Sequence, residues 1–168
     1  MFPVTLSATN GFLPMHATIL PEDFMRSKLF ILLALFVAPA LLAQPGTALN
    51  IPKASLIQPT ELNSLIQKNA LGQTLLLSTG PHMLYAQAHI PGAEFIGNNP
   101  DAIKARVASL KKSQPIILYC GCCPWGHCPT VGPAFETLHS LGFTNVRVLY
   151  LENNFGTDWV NKGFATTH

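Results

Sequence analysis

Four cysteines crowd into one stretch, Tyr119-Cys120-Gly121-Cys122-Cys123-Pro124-Trp125-Gly126-His127-Cys128-Pro129, and no other cysteine occurs in the chain. A thiol reacts as its thiolate, which forms near neutral pH where donors or positive charge surround the sulfur. Disulfide scaffolds spread their cysteines to close long loops, whereas thiols bunched between positions 120 and 128 can staple almost nothing. These residue types therefore point to local chemistry, and three kinds fit. One thiolate can act as a sulfur-accepting nucleophile whose persulfide a neighbour resolves. Two thiols can cycle as a dithiol, and Cys120-x-x-Cys123 has redox spacing without thioredoxin-like surroundings. Several thiolates with His127 can hold Cu(I) or Zn(II), ions that suit soft sulfur and imidazole ligands. The vicinal pair Cys122-Cys123 is awkward for a closed tetrahedral site, so no metal and no cofactor is assigned to the loop.

The flanking elements single out one of the four. Pro115-Ile116-Ile117-Leu118-Tyr119 is a short apolar run that reads as a buried strand. Thr130 to Leu141 reads as a helix, with Thr130 or Gly132 as cap, Pro133 in the first turn and Gly142 at the end. Cys120 thus stands at the carboxyl end of a strand, where open α/β sheets bind ligands. The positive end of a helix dipole and free loop N–H groups favour a thiolate there. Cys120 is the candidate nucleophile, and Gly121, Cys122, Cys123, Trp125, Gly126, Cys128 and Thr130 form the candidate substrate-binding loop. His127 is the second candidate catalytic residue, as proton donor or thiolate partner, because its charge changes near neutral pH; a solvated loop histidine is the plain alternative. Trp125, between Pro124 and Gly126, is either a wall over the sulfur or an ordinary packing residue of the loop.

The chain has 168 residues, enough for one domain. Charged residues make up 11% and the formal net charge is +2. With Lys111-Lys112 as the one basic cluster, the composition argues against a nucleic-acid surface. Met25-Arg26-Ser27-Lys28, the apolar run Leu29 to Leu42, and small residues at Ala43 and Ala48 form the three regions of a secretory signal peptide; an uncleaved membrane anchor is the alternative. The expected organisation is a non-native upstream extension at 1–24, a signal peptide at 25–48 and a mature domain at 49–168. Export, to a periplasm or an equivalent place, puts that domain in an oxidising compartment, where at least one loop disulfide is expected unless the thiols carry sulfur or metal.

Along the mature region strands alternate with helices. The strands are Ala54–Ile57, Thr74–Ser78, Glu94–Gly97, the run before Cys120, and Asn145–Leu151. Helices fall at Pro59 to about Asn69 with Thr60 as cap, from Asn99-Pro100-Asp101 onward, at Thr130–Leu141, and at Phe155–Val160. Gly80 to Ala88 reads as a loop with one helical turn. The alternation predicts an α/β fold with a mostly parallel central sheet covered by helices on both faces. His89 and Trp159 read as structural residues.

Four segments then carry a resemblance: Tyr85-Ala86-Gln87-Ala88-His89-Ile90-Pro91-Gly92-Ala93, Ile117-Leu118-Tyr119-Cys120, Leu141-Gly142-Phe143-Thr144-Asn145-Val146, and Leu151-Glu152-Asn153-Asn154 with Trp159 and Gly163-Phe164. In order and spacing the mature region resembles single-domain rhodanese-like proteins, three-layer sulfurtransferase domains. The resemblance implies that Cys120 accepts sulfane sulfur as a persulfide and passes it to a thiophilic acceptor, in a monomer serving a small sulfur compound or a thiol protein. Four departures stand out. Ser78-Thr79-Gly80 replaces the family's Asp-x-Arg, Ala88 replaces a glycine, Asn153-Asn154 replaces a glycine pair, and the loop after Cys120 is longer and lacks the family's arginine. The asparagine pair is tolerable there because Asn accepts positive φ best among residues other than glycine. Without the arginine, efficient transfer from the thiosulfate dianion is not expected.

Overall fold

The computed structural model describes residues 49–168; the expected upstream extension and signal segment lie outside the described residues. Five strands, β1 Leu56–Ile57, β2 Leu75–Ser78, β3 Ala93–Phe95, β4 Ile116–Tyr119 and β5 Val146–Leu149, make one sheet in the order β1-β5-β4-β2-β3. Every pairing between them is parallel. Helices α1 Pro59–Gln67, α2 His82–Gln87, α3 Pro100–Val107, α4 Val131–Ser140 and α5 Phe155–Asp158 connect and cover the strands.

The central strands β2 and β4 are buried at every residue, as largely apolar runs covered on both faces must be. Side chains alternate between the faces. Leu75, Leu77, Ile116, Leu118 and Cys120 join Ile103 and Val107 of α3 and Val131, Phe135 and Leu138 of α4 in one core. Leu76, Ile117, Tyr119 and Leu149 join Leu62 of α1, Phe155 and Trp159 in the other. This parity matters for chemistry: it turns Cys120 toward α4 and Tyr119 away from it.

Most of the expected elements are present, with instructive shifts. Asn99 caps α3 as expected, its Oδ1 accepting from the Asp101 N–H at 2.9 Å, and Pro100 takes the first turn. In α1, however, Pro59 opens the helix and Gln58 occupies the cap with no side-chain bond, so Thr60 is not the cap. Proline presets the helical φ and has no N–H to satisfy, which makes a side-chain cap less necessary. The segment after Gly80 forms six-residue α2. It buries no residue fully, so there was no apolar stripe to read. Tyr85 anchors it instead, donating to the Ala93 carbonyl at 2.7 Å and stacking on His89 at 3.9 Å.

The terminal turn also differs. Asn154 is extended at φ −172° and Asn69 is the non-glycine residue with positive φ among the described residues. Asn154 caps α5 by accepting from Thr157 N–H, while Asn153 donates to Asp158 through both N–H and Nδ2. Side-chain hydrogen bonds, rather than backbone freedom, suit these asparagines to the turn. Ala88 is likewise extended, at φ −164°, so its position requires no glycine. His89 and Trp159 are structural as expected: His89 Nδ1 lies 2.9 Å from the Tyr85 carbonyl, and fully buried Trp159 donates from Nε1 to Ala165.

Candidate functional site

Strand β4 ends at Tyr119, and the next residue, Cys120, is 6% exposed. The ladder continues one step past the strand, with Thr79 N–H donating to the Tyr119 carbonyl at 2.9 Å. That bond fixes Cys120 beside the end of β2. From there the chain loops outward and returns at Cys128, 8% exposed and packed in the same core. The return brings Cys120, Cys122 and Cys128 together, with their sulfurs all within 4.8 Å of one another. Cys120 Sγ and Cys122 Sγ are 3.2 Å apart, and all four cysteines of the loop are free thiols.

Two threonines hold this group. Thr130 Oγ1 lies 3.3 Å from Cys128 Sγ and 3.1 Å from Thr79 Oγ1. Thr130 occupies the N-cap of α4, yet its side chain makes no cap bond. Its hydroxyl serves the sulfurs instead, which is a departure from the expected cap role. Thr79 is fully buried and reaches the Tyr119 carbonyl at 3.3 Å. Sequence reasoning missed Thr79 as part of the site. The available signal was a polar residue ending an apolar strand, but only the β2–β4 pairing places it beside Cys120.

The three clustered thiols differ in acidity. Hydrogen bonding from the Cys128 side chain is the largest influence on Cys120 and lowers its pKa below the ordinary 9.0; burial opposes this, and the Thr130 hydroxyl and Cys122 N–H assist. Burial pushes Cys122 up to about 11, with the Cys123 side chain adding to the rise. Cys128 is pushed up further, first by its bond to Cys120 and then by burial. These directions make Cys120 the most acidic of the three, with the Cys128 thiol close beside it. Lowering at Cys120 was expected, and neighbouring thiol and hydroxyl groups are among its causes.

The rest of the loop surrounds this group without joining it. His127 is exposed and lies outside the three-sulfur cluster. Cys123 is half-buried against the core and also outside the cluster. Gly126, at φ +86°, makes the turn in which His127 N–H bonds the Pro124 carbonyl at 3.0 Å. Trp125 lies with its ring 5.1 Å from Tyr150, and its N–H donates to the Glu152 carbonyl at 3.1 Å. The Gly121 carbonyl accepts from Phe155 N–H at 3.3 Å. Those two bonds tie the loop to the segment after β5.

Gly80 closes the site from the side of β2. A Cβ there would stand 3.4 Å from Cys120 Sγ and 3.2 Å from Gly121 N, so the bare backbone leaves room for the sulfur. A cavity of about 260 Å³ opens beyond, lined by Tyr119, Leu84 and Phe155 together with Gly80 and Gly121. Tyr119 faces the opposite side of the sheet from Cys120, so this cavity adjoins the backbone of the site rather than its thiols. No lysine or arginine occurs between Cys120 and Thr130. Arg106 is engaged with Glu94 at 2.6 Å and Arg147 with Glu61 at 2.8 Å.

Residues 58–151, more than half of the chain, match the sequence profile of the rhodanese-like domain. The chain belongs to the rhodanese-like domain family. Solved structures agree on the fold. The BH2092 protein of Bacillus halodurans is 23% identical with a TM-score of 0.56, covering 68% of this chain and 78% of its own. The rhodanese-like domain of the Alr3790 protein of Anabaena sp. is 22% identical with a TM-score of 0.52, covering 67% and 78%. Protein hp1203 of Helicobacter pylori is 19% identical with a TM-score of 0.50, covering 70% and 93%. At these identities the likeness concerns fold. No curated protein matches the chain. The expected rhodanese-like architecture with a parallel sheet is thus found, and within it this member carries a three-sulfur group on its loop.

Proposed function

We propose that this rhodanese-like protein is an exported sulfurtransferase or persulfide carrier in which Cys120 accepts sulfane sulfur. The observation that carries the reading is a buried Cys120 at a strand end, its sulfur within 4.8 Å of those of Cys122 and Cys128, inside a rhodanese-like domain. In the first step the Cys120 thiolate attacks the outer sulfur of a donor persulfide. A Cys120–sulfur bond forms, the donor S–S bond breaks, and the donor thiolate leaves with the electron pair and takes a proton from solvent. In the second step an acceptor thiolate attacks that outer sulfur and Cys120 departs as thiolate. Each step transfers neutral sulfur, so no external oxidant is needed.

Charge favours one class of donor. A thiosulfate dianion needs a cation beside the sulfur, preferably the planar fork of arginine. The loop from Cys120 to Thr130 has no lysine or arginine, which favours a persulfide on a small thiol or a thiol protein, handled by a monomer. Export rests on the signal-peptide pattern of residues 25–48. A second reading, thiol–disulfide exchange, is favoured by the 3.2 Å separation of Cys120 and Cys122. Cys122 can attack the inner sulfur of a Cys120 persulfide, releasing hydrosulfide and leaving a disulfide.

The test is cyanolysable sulfur after incubation with a small-molecule persulfide, measured on the parent and on four single Cys→Ser variants. Cys120→Ser is expected to abolish loading, while Cys122→Ser and Cys128→Ser lose part of it. Equal loading of Cys120→Ser and the parent would rule the mechanism out. Export is tested separately by N-terminal sequencing from an export-competent host, with Gln44 or Leu49 expected first; residues 1–24 retained on cytosolic protein would refute it.

A further inference from the structure

We propose that Cys120, Cys122 and Cys128 form a three-thiolate binding site for Cu(I), from which Cys123 and His127 are excluded. The geometry is nearly prepared. Thiolates bind a metal ion at about 2.3 Å, so three of them arranged around it in a plane stand roughly 4 Å apart. Here all three sulfurs lie within 4.8 Å of one another and the closest pair is at 3.2 Å. Small side-chain rotations bring them onto a common ion without moving the strand.

The ligand count selects the metal. No histidine, carboxylate or fourth cysteine joins the group among the described residues. Structural zinc is almost always closed by four protein ligands, whereas soft thiolates select Cu(I), an ion satisfied by three. Vicinal Cys123 and exposed His127 lie on the same loop and yet outside the cluster. The set is therefore narrower than counting soft ligands along the loop suggests.

The frame is rigid where a site needs rigidity. Cys120 is fixed by β4, and Cys128 is held against Thr130 at the start of α4. The Thr79–Thr130 bond ties those two supports together. Cys120 and Cys128 are buried, which shields the ion from water, and half-buried Cys122 leaves a route for its entry. Binding breaks three S–H bonds, releases three protons to the buffer and leaves copper as Cu(I). The complex carries two negative charges, and the Thr130 hydroxyl, 3.3 Å from Cys128 Sγ, stands beside the sulfurs. Because three protons leave, affinity rises with pH.

The experiment is an anaerobic titration of the reduced full-length chain with Cu(I) against a chromogenic Cu(I) chelator. One ion per chain is expected, with a near-ultraviolet sulfur-to-copper absorption band. Cys120→Ser, Cys122→Ser and Cys128→Ser should each weaken binding by at least about tenfold, since ligands act as a set. Cys123→Ser and His127→Ala should bind as the parent does. Cys122→Ala, at the least buried of the three positions, keeps the comparison valid if the variants at 120 or 128 fail to fold. Failure to compete with the chelator, losses in Cys123→Ser or His127→Ala equal to those in the cluster, or tighter binding of zinc than of Cu(I) would each overturn the proposal. None of these results depends on persulfide loading.

Discussion

Replacing Cys128 by alanine removes the side chain that most lowers the pKa of Cys120 and leaves the strand that positions Cys120 intact. The thiolate is favoured by that side chain's hydrogen bond, so its loss shifts Cys120 back toward the thiol at any given pH. A hydrogen bond to a charged group contributes roughly 1.5–3 kcal/mol, and 1.4 kcal/mol corresponds to about a factor of ten. Cys120 is 6% exposed, so solvent screens the interaction little. Water entering the space left by the thiol replaces part of the bond, which puts the expected effect near the lower end of that range. Alkylation of Cys120 by iodoacetamide, followed by fragment mass spectrometry, should therefore slow about tenfold on the acid side of its pH profile. The whole profile should move to higher pH. Cys128→Ser keeps an O–H donor and should retain most of the parent's rate. An unmoved profile for Cys128→Ala, or one displaced to lower pH, would refute the assignment of Cys128 as the donor.

Three further outcomes can be checked on the same protein. Gly80→Ala should leave folding intact yet slow sulfur loading by up to about tenfold, because its Cβ stands 3.2 Å from Gly121 N and must displace the loop by a few tenths of an ångström; single-turnover persulfide kinetics measure it. Trp159→Ala empties the centre of one core and should lower unfolding free energy by about 3–5 kcal/mol in denaturant titrations, without a preferential effect on Cys120 alkylation in the folded fraction. Asn154→Ala removes the cap of α5 and should cost about 1 kcal/mol in the same titration.

The elements that the sequence reveals are those whose signal is local. The β2 and β4 runs are apolar up to their last residues, Ser78 and Tyr119, because both faces are covered, and Asn99-Pro100-Asp101 announces α3 by its own capping chemistry. Cys120 is legible for the same reason, as the residue that follows a strand. What was not legible depends on partners distant in the chain. Thr79 and Thr130 are 51 positions apart, and their contact exists only because β2 pairs with β4. The grouping of Cys122 with Cys120 and Cys128, to the exclusion of Cys123, depends on how the long loop folds back to Glu152 and Phe155. Likewise α2 is short and buries no residue fully, so its helical period leaves too little trace to read.

The chain's two tryptophans occupy unlike surroundings, and that difference gives the protein two optical signals. Trp125 rides on the cysteine loop beside Tyr150, partly open to solvent, while Trp159 is sealed between Phe155 and Phe164 in the core. Emission from the first follows what happens to the loop, and emission from the second follows whether the domain is folded. A Trp125→Phe variant isolates the core signal, so subtraction yields the loop signal alone. Loading of the sulfurs and loss of the fold can then be recorded by light in one cuvette, without a label and without consuming a thiol.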